Sequence, residues 1–142
     1  MRLFCVLMLL LALASTGANA QTPHDFQARC GAAYRADDTS GQIRWCKAAA
    51  DRYAALARRS TTFWHWAALE IEGVDLADLS IAYNSVGDPV NAYKTAIRSR
   101  TALREVRFHC PLFAMRDLAT EPLRRVNDLI NLYESPASPV PA

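Results

Sequence analysis

A Gly-Asp-Pro turn at positions 87–89 separates two apolar stripes of helical spacing, and this arrangement constrains the fold more than any other stretch. Gly87 stands where a helix end favours a left-handed residue, Asp88 can cap the next helix, and Pro89 suits its first turn. The stripes lie on either side, before the turn at Leu76, Leu79, Tyr83 and Val86 and after it at Ala92, Ala96, Ser99, Leu103 and Val106. Residues 76–107 therefore predict two helices folded back on each other.

This hairpin resembles a tetratricopeptide repeat. The residues that carry the resemblance are Leu76, Leu79 and Tyr83 in the first helix, Gly87 and Asp88 in the turn, and Ala92 and Ala96 in the second. The match covers about a quarter of the chain, and no second copy follows at the family's period of about 34 residues. Ser99 also stands where the family usually has a further alanine. The resemblance implies a short solenoid of stacked helical hairpins with a concave face that binds peptides or proteins.

Helical patterns extend to both sides of the hairpin. Thr22 and Asp25 have the spacing of a capping box, and so do Thr39 and Gln42 after a turn at 37–41. The two helices that they begin carry the stripes Phe26, Cys30, Ala33, Tyr34 and Ile43, Cys46, Ala50, Tyr53, Ala57. A long helix is expected over 63–86, with Gly73 marking a bend or a boundary within it.

The last part of the chain predicts two shorter helices. Pro111 disfavours helix at Cys110, so a break is expected there, followed by a short helix over 112–118. Thr120 is the expected cap of a final helix with the buried stripe Leu123, Val126, Ile130 and Tyr133. Glycine is scarce, with 5 in the chain, and the composition favours an all-α domain. The alternative to a solenoid is a compact four- or five-helix bundle.

The first twenty residues have the pattern of a cleaved signal peptide. A basic start at Arg2 precedes an apolar run over 3–14, and Ala18-Asn19-Ala20 is a small-x-small cleavage signature. The predicted organisation is a signal peptide at 1–20, an all-helical domain at 21–134 and a disordered Pro-rich tail at 135–142. The expected location is the periplasm or the secreted fraction, with an uncut N-terminal anchor as the alternative. No membrane span is expected in the mature chain.

Three cysteines remain after the leader, at Cys30, Cys46 and Cys110. Cys30 and Cys46 lie on inward stripes and nearly equidistant from the turn centre near Asp38, so they face each other in an antiparallel hairpin. A Cys30–Cys46 disulfide is therefore predicted, which suits an oxidising compartment. The alternatives are two buried free thiols or a pairing with Cys110. If Cys110 has no partner within the chain, it becomes the candidate for a disulfide bond between two chains in a dimer.

No set of residues has the pattern of a catalytic or metal site. The sequence has three histidines, His24, His65 and His109, and none has metal-ligand spacing. His109 and Cys110 are adjacent, a geometry that rarely suits a nucleophile and its base. We therefore expect neither enzymatic activity nor a cofactor. Without Arg2 the chain has 15 basic residues against 14 acidic ones, a balance that makes no case for nucleic acid.

The acidic segment Glu70, Glu72, Asp75 and Asp78 is expected to form ion pairs with the basic helix that follows it, at Lys94, Arg98, Arg100, Arg104 and Arg107. Trp64 and Trp66 are two residues apart on one helix, so their side chains diverge. At least one should lie near the surface or a second interface, and the alternative is a core of two layers. The resemblance places the binding groove on the first helix of a pair, at Trp64, Asp78, Ile81 and Asn84.

The leading functional hypothesis is an exported adaptor that binds a partner protein or peptide in the cell envelope. The alternative is a small secreted enzyme or enzyme inhibitor on a disulfide-braced helical scaffold. An enzyme would need His65 or His109 close to a carboxylate such as Glu70. A third hypothesis is a module of a larger assembly that folds only with its partner.

Overall fold

The computed structural model describes residues 21–135, and within this range it contains helices and no strand, which confirms the all-α prediction. The predicted leader and residues 136–142 of the predicted tail lie outside the described residues. The helices are α1 (Pro23–Arg35), α2 (Thr39–Arg59), α3 (Thr62–Ser85), α4 (Pro89–His109), α5 (Phe113–Leu118) and α6 (Thr120–Glu134).

The helices pack largely in the order of the chain. α1 packs on α2, α2 on α3 and α3 on α4, and α6 then packs on α4. α3 lies at the centre, because it also contacts α5 and α6. This position explains why its sequence has no single apolar face: a helix surrounded by others is apolar on most sides.

The helix starts depend on short polar side chains. The capping box predicted at the start of α1 is confirmed, since Thr22 Oγ1 accepts a hydrogen bond from the Asp25 N–H and Asp25 accepts one from the Thr22 N–H. The cap predicted for α2 at Thr39 is wrong. Asp38 caps this helix instead and accepts from the Gly41 N–H at 2.9 Å. A carboxylate at this position competes successfully with the hydroxyl that follows it.

The turn between α3 and α4 has the predicted form. Gly87 has a φ of 72°, and Asp88 accepts a hydrogen bond from the Asn91 N–H at 3.1 Å. The cap predicted at Thr120 is wrong, because α6 follows α5 after the single residue Ala119. The Thr120 hydroxyl instead donates to the Arg116 carbonyl of the preceding turn.

Gly73 is a point of close approach and not the bend or boundary expected from the sequence. α3 runs through it without interruption, and Gly73 is buried against α4. A Cβ at this position would lie 2.6 Å from Leu103 Cγ. The Ser99 hydroxyl donates to the Gly73 carbonyl at 2.7 Å, so Ser99 links the two helices at this close approach.

The Cys30–Cys46 disulfide is confirmed and joins α1 to α2, with the two Cα atoms 4.7 Å apart. It lies in a core cluster with Ala50, Leu76 and Leu79, so the bond is anchored by the central helix. Cys110 is a free thiol with 2% of its surface exposed. A bond from Cys110 to a second chain would therefore require the turn after α4 to open. No helix within residues 21–135 has the length and apolar character needed to cross a membrane.

Candidate functional site

The two tryptophans at the start of α3 have different surroundings, as their spacing predicts. Trp66 packs against the core cluster that contains Leu103, Val106 and Cys110. Trp64 is 66% exposed, and Phe63 beside it is 48% exposed. Their rings meet edge to face with centroids 5.1 Å apart. The first turn of α3 therefore presents a preassembled aromatic pair to solvent.

Further exposed apolar side chains lie at the same end of the helical array. Consecutive long helices run antiparallel, so the end of α2, the start of α3, the end of α4 and α5 come together there. We define the aromatic end by its exposed apolar side chains, which are Leu56, Phe63, Trp64, Phe108, Leu112, Phe113 and Leu118. Isolated exposed apolar residues are common, but a concentration of them is typical of an interaction site.

The aromatic end is continuous with a shallow depression along the outer side of α4. Its volume is about 560 Å³, and it is lined by Arg100, Arg104, Phe108 and His109, among others. On α5 the Arg116 guanidinium lies 5.9 Å from the centre of the Phe113 ring. Basic groups therefore border the apolar surface, as in the polar rims of protein interfaces.

The other three predicted groove residues lie on the part of α3 that faces α6. Arg125 donates to Asp78 at 3.4 Å, and the Tyr133 hydroxyl donates to Asn84 at 2.5 Å. Ile81 is half-buried. Trp64 and Asp78 are 14 residues apart on one helix, which separates them by about 21 Å along its axis. The structure therefore does not bring the four residues into one open groove.

Asp75 is a buried carboxyl that sequence reasoning missed. It is 2% exposed, and its Oδ2 atom has no hydrogen-bond partner among the described residues. Burial, together with the carboxyls of Asp78 and Glu70, raises the pKa of Asp75 to about 8. Burial and the Asp75 carboxyl in turn raise the pKa of Tyr53 on α2. The sequence does contain an indication of this burial. Asp75 lies four residues before Leu79 and is therefore on the face of α3 that packs against α2.

The expected ion pairing between α3 and α4 is limited to one long contact within residues 21–135. Glu72 and Arg98 approach to 3.9 Å, whereas Asp78 pairs with Arg125 of α6 and not with α4. Desolvation raises the pKa values of Glu70, Glu72 and Asp78, although Arg98 opposes it at Glu72 and Arg125 at Asp78. The acidic segment is thus partly withdrawn from solvent by packing.

A second depression lies between α2 and α4, with α3 as its floor. Its volume is about 260 Å³, and it combines the floor residues Leu76, Leu79 and Tyr83 with a charged rim on the flanking helices. Across the rim, Lys47 and Arg98 both approach Asp51, at 3.1 and 3.9 Å. The rim charges thus largely compensate one another.

Of the two histidines that an enzyme would use, His109 lies near the Glu105 carboxylate, and both of these residues line the depression along α4, whereas His65 contacts a backbone carbonyl. His65 Nδ1 lies 2.9 Å from the Ala57 carbonyl oxygen, and His109 Nε2 lies 3.9 Å from Glu105. Glu70 is five residues after His65, which places the two about 140° apart around the helix. Within the described part of the chain no cluster of side chains suits a metal ion.

Comparison with known proteins finds no matching family model, no matching curated protein and no matching solved structure.

Proposed function

We propose that this protein is an exported interaction module that binds an apolar segment of a partner protein or peptide in the cell envelope. The observation that carries the proposal is the exposed Phe63–Trp64 pair within the aromatic end. The leader pattern supports export, and the Cys30–Cys46 disulfide is consistent with an oxidising compartment.

The energetics of interfaces favour Trp64 as an anchor. Tryptophan is enriched among residues that dominate binding energy, and truncation of such a residue typically costs about 2 kcal/mol or more. Phe63 supports the Trp64 ring from its edge, so less rotamer freedom is lost when a partner covers the pair. The surrounding arginines would supply the polar rim of the interface.

The proposal includes a short tetratricopeptide-like array as the scaffold. Packing of α1 to α4 in chain order supports this arrangement, and so do the small residues of α4 against α3. The binding site proposed for this chain is the end of the array, because Arg125 and Tyr133 of α6 already bind Asp78 and Asn84 on the side where the resemblance implies a groove.

The test is chemical cross-linking of the mature chain in its native cell envelope, followed by mass spectrometry and by titration with the purified candidate partner. The test variant is Phe63→Ala with Trp64→Ala. The control is Tyr34→Ala, because Tyr34 is 50% exposed and lies at the opposite end of α1 and α2. We expect the double variant to weaken binding by about thirtyfold or more.

Equal affinity of the double variant and Tyr34→Ala for the partner would contradict the proposed binding site. The proposal also fails if the aromatic end is covered by a second copy of the chain, which light scattering of the purified protein would detect. Circular dichroism melts of each variant establish that the fold is retained. Since Phe63 and Trp64 are largely exposed, we expect both variants to melt close to the unchanged chain.

A further inference from the structure

A face formed by α1 and α2 combines three arginines with two aromatic rings, and it adjoins the aromatic end where Arg52 lies one turn before Leu56. The Arg29 and Arg44 guanidinium carbons lie 4.6 and 4.4 Å from the centre of the Trp45 ring. The Arg52 guanidinium carbon lies 5.2 Å from the centre of the Phe26 ring. The two rings are neighbours, with centroids 6.2 Å apart. We refer to these five residues as the arginine–aromatic face.

Within residues 21–135 the positive charge of this face is offset in part by Asp25, whose pKa is lowered by hydrogen bonds with Thr22 and also by the nearby Arg29. Arg29, Arg44 and Arg52 are exposed and take part in none of the ion pairs of the described chain. The nearest carboxylates in sequence form their hydrogen bonds and ion pairs with other groups. Asp25 accepts hydrogen bonds from Thr22 at the start of α1, and Asp51 pairs with Lys47.

The surface carries more positive than negative charge, because acidic side chains are buried more often than basic ones. Four of the acidic side chains lie on α3, where desolvation raises their pKa values, and these are Glu70, Glu72, Asp75 and Asp78. None of the lysines and arginines in residues 21–135 is buried. The near balance of formal charge in the sequence therefore conceals a surface that is more basic than the chain as a whole.

The shape of the face indicates a ligand with several charges. A guanidinium stacked on a ring is held in orientation and leaves its N–H edge free to bind a carboxylate or phosphate in bidentate fashion. Arg44 and Arg52 are eight residues apart on α2, so the face extends about 12 Å along the helix. This length is greater than a single small anion can span.

The arginines that cover both rings indicate which class of polyanion the face can bind. Single-stranded nucleic acids use free aromatic faces for base stacking, whereas guanidinium groups already lie over both rings of this face. Surfaces that bind lipid present apolar side chains for insertion, whereas Phe26 is buried and Trp45 half-buried. Binding of successive carboxylates on a polypeptide requires neither a free aromatic face nor an apolar side chain that inserts into lipid.

We propose that the arginine–aromatic face binds an acidic segment of a partner polypeptide, through carboxylates held by Arg29, Arg44 and Arg52. This inference goes beyond the proposed function, since it uses a different face and a different chemistry. The proposed function and this inference can be tested separately, because Phe63 and Trp64 are not part of the arginine–aromatic face.

The test is fluorescence anisotropy of a dye-labelled oligo-glutamate peptide titrated with the mature protein at low salt. The test variant combines Arg29→Gln, Arg44→Gln and Arg52→Gln. The control variant removes the same charge at three exposed arginines outside the face, which are Arg35, Arg58 and Arg59. We expect about tenfold weaker binding for the test variant and less than about threefold for the control. Replacement of the same three residues of the face by lysine keeps the charge, and we expect it to restore only part of the affinity.

Four results would overturn the proposal. The first two are no binding of the peptide by the unchanged protein and an equal loss of affinity in the test and control variants. The other two are displacement of the peptide by inorganic phosphate at equal concentration and stronger binding to vesicles rich in anionic lipid than to the peptide. Thermal melts verify that each variant folds. If the test variant unfolds, Arg44→Gln alone supplies the measurement, and an affinity equal to that of the unchanged protein then contradicts the proposal. The Phe63→Ala, Trp64→Ala variant should bind this peptide normally.

Discussion

The buried carboxyl of Asp75 makes the stability of this protein depend on pH in a defined direction. Replacement of Asp75 by Asn removes the ionisable group with little change in shape. In the folded chain the pKa of Asp75 is about 8, compared with 3.8 for an unperturbed carboxyl. The folded state therefore retains a proton, between about pH 4 and pH 8, that the unfolded state releases.

The sign and the size of the effect follow from this difference. The unfolding free energy contributed by Asp75 is fully present below about pH 4, falls by about 1.4 kcal/mol for each pH unit above that, and is lost above about pH 8. The total change is about 6 kcal/mol. The Asn variant does not titrate, but it buries an amide whose unmade hydrogen bonds cost about 1–3 kcal/mol. We therefore expect the variant to be the more stable protein by about 3 kcal/mol near pH 8, with the advantage vanishing near pH 5.

Urea denaturation followed by circular dichroism across this pH range measures the effect. The neighbouring carboxyls Glu70, Glu72 and Asp78 add slopes of the same sign, but they are present in both proteins and largely cancel in the difference. Asp117→Asn is the control, since it removes an exposed carboxylate. Parallel stability curves for the unchanged protein and the Asp75→Asn variant would refute the argument.

Two further predictions concern the packing of the helices. Reduction of the Cys30–Cys46 bond, which spans 16 residues, should cost about 3 kcal/mol and lower the melting temperature by about 10 °C. Scanning calorimetry with and without a thiol reductant would show this, and an unchanged melt would contradict it. Gly73→Ala should destabilise the protein by about 1–3 kcal/mol, because its Cβ meets Leu103, whereas Gly31→Ala should be neutral or stabilising by up to about 1 kcal/mol. Urea denaturation of both variants tests the contrast, and equal effects would refute it.

The sequence allowed the helices and the disulfide to be predicted because both depend on local spacing. The stripe of α4 is buried along its whole length, from Ala92 to Val106, and Cys30 meets Cys46 where the antiparallel geometry places it. Helical period and a polar turn are sufficient for such predictions. The caps at Thr39 and Thr120 were less predictable, because several short polar residues compete at each helix start.

The candidate site was predictable only in part. The divergence of Trp64 and Trp66 follows from their spacing, and Trp64 is exposed as expected. The covering of Asp78 by Arg125 could not be inferred, because the two residues are 47 positions apart and meet only through the placement of α6. The burial of Asp75 depends likewise on which side of α3 packs against α2. Its spacing from Leu79 places it on that side, but its position in a run of acidic residues indicates an exposed side chain instead.

The position of the disulfide has a consequence for the edge of the fold. α1 is the first helix of the array and packs mainly on α2, whereas α3 is held by four neighbours. A helix at such an edge can detach at a much lower free energy than the whole domain requires to unfold. Because Cys30 lies near the middle of α1, the bond to Cys46 keeps this helix beside α2 even while its other contacts open. A proteolytic cut in the turn between α1 and α2 would therefore leave α1 covalently attached to the rest of the molecule.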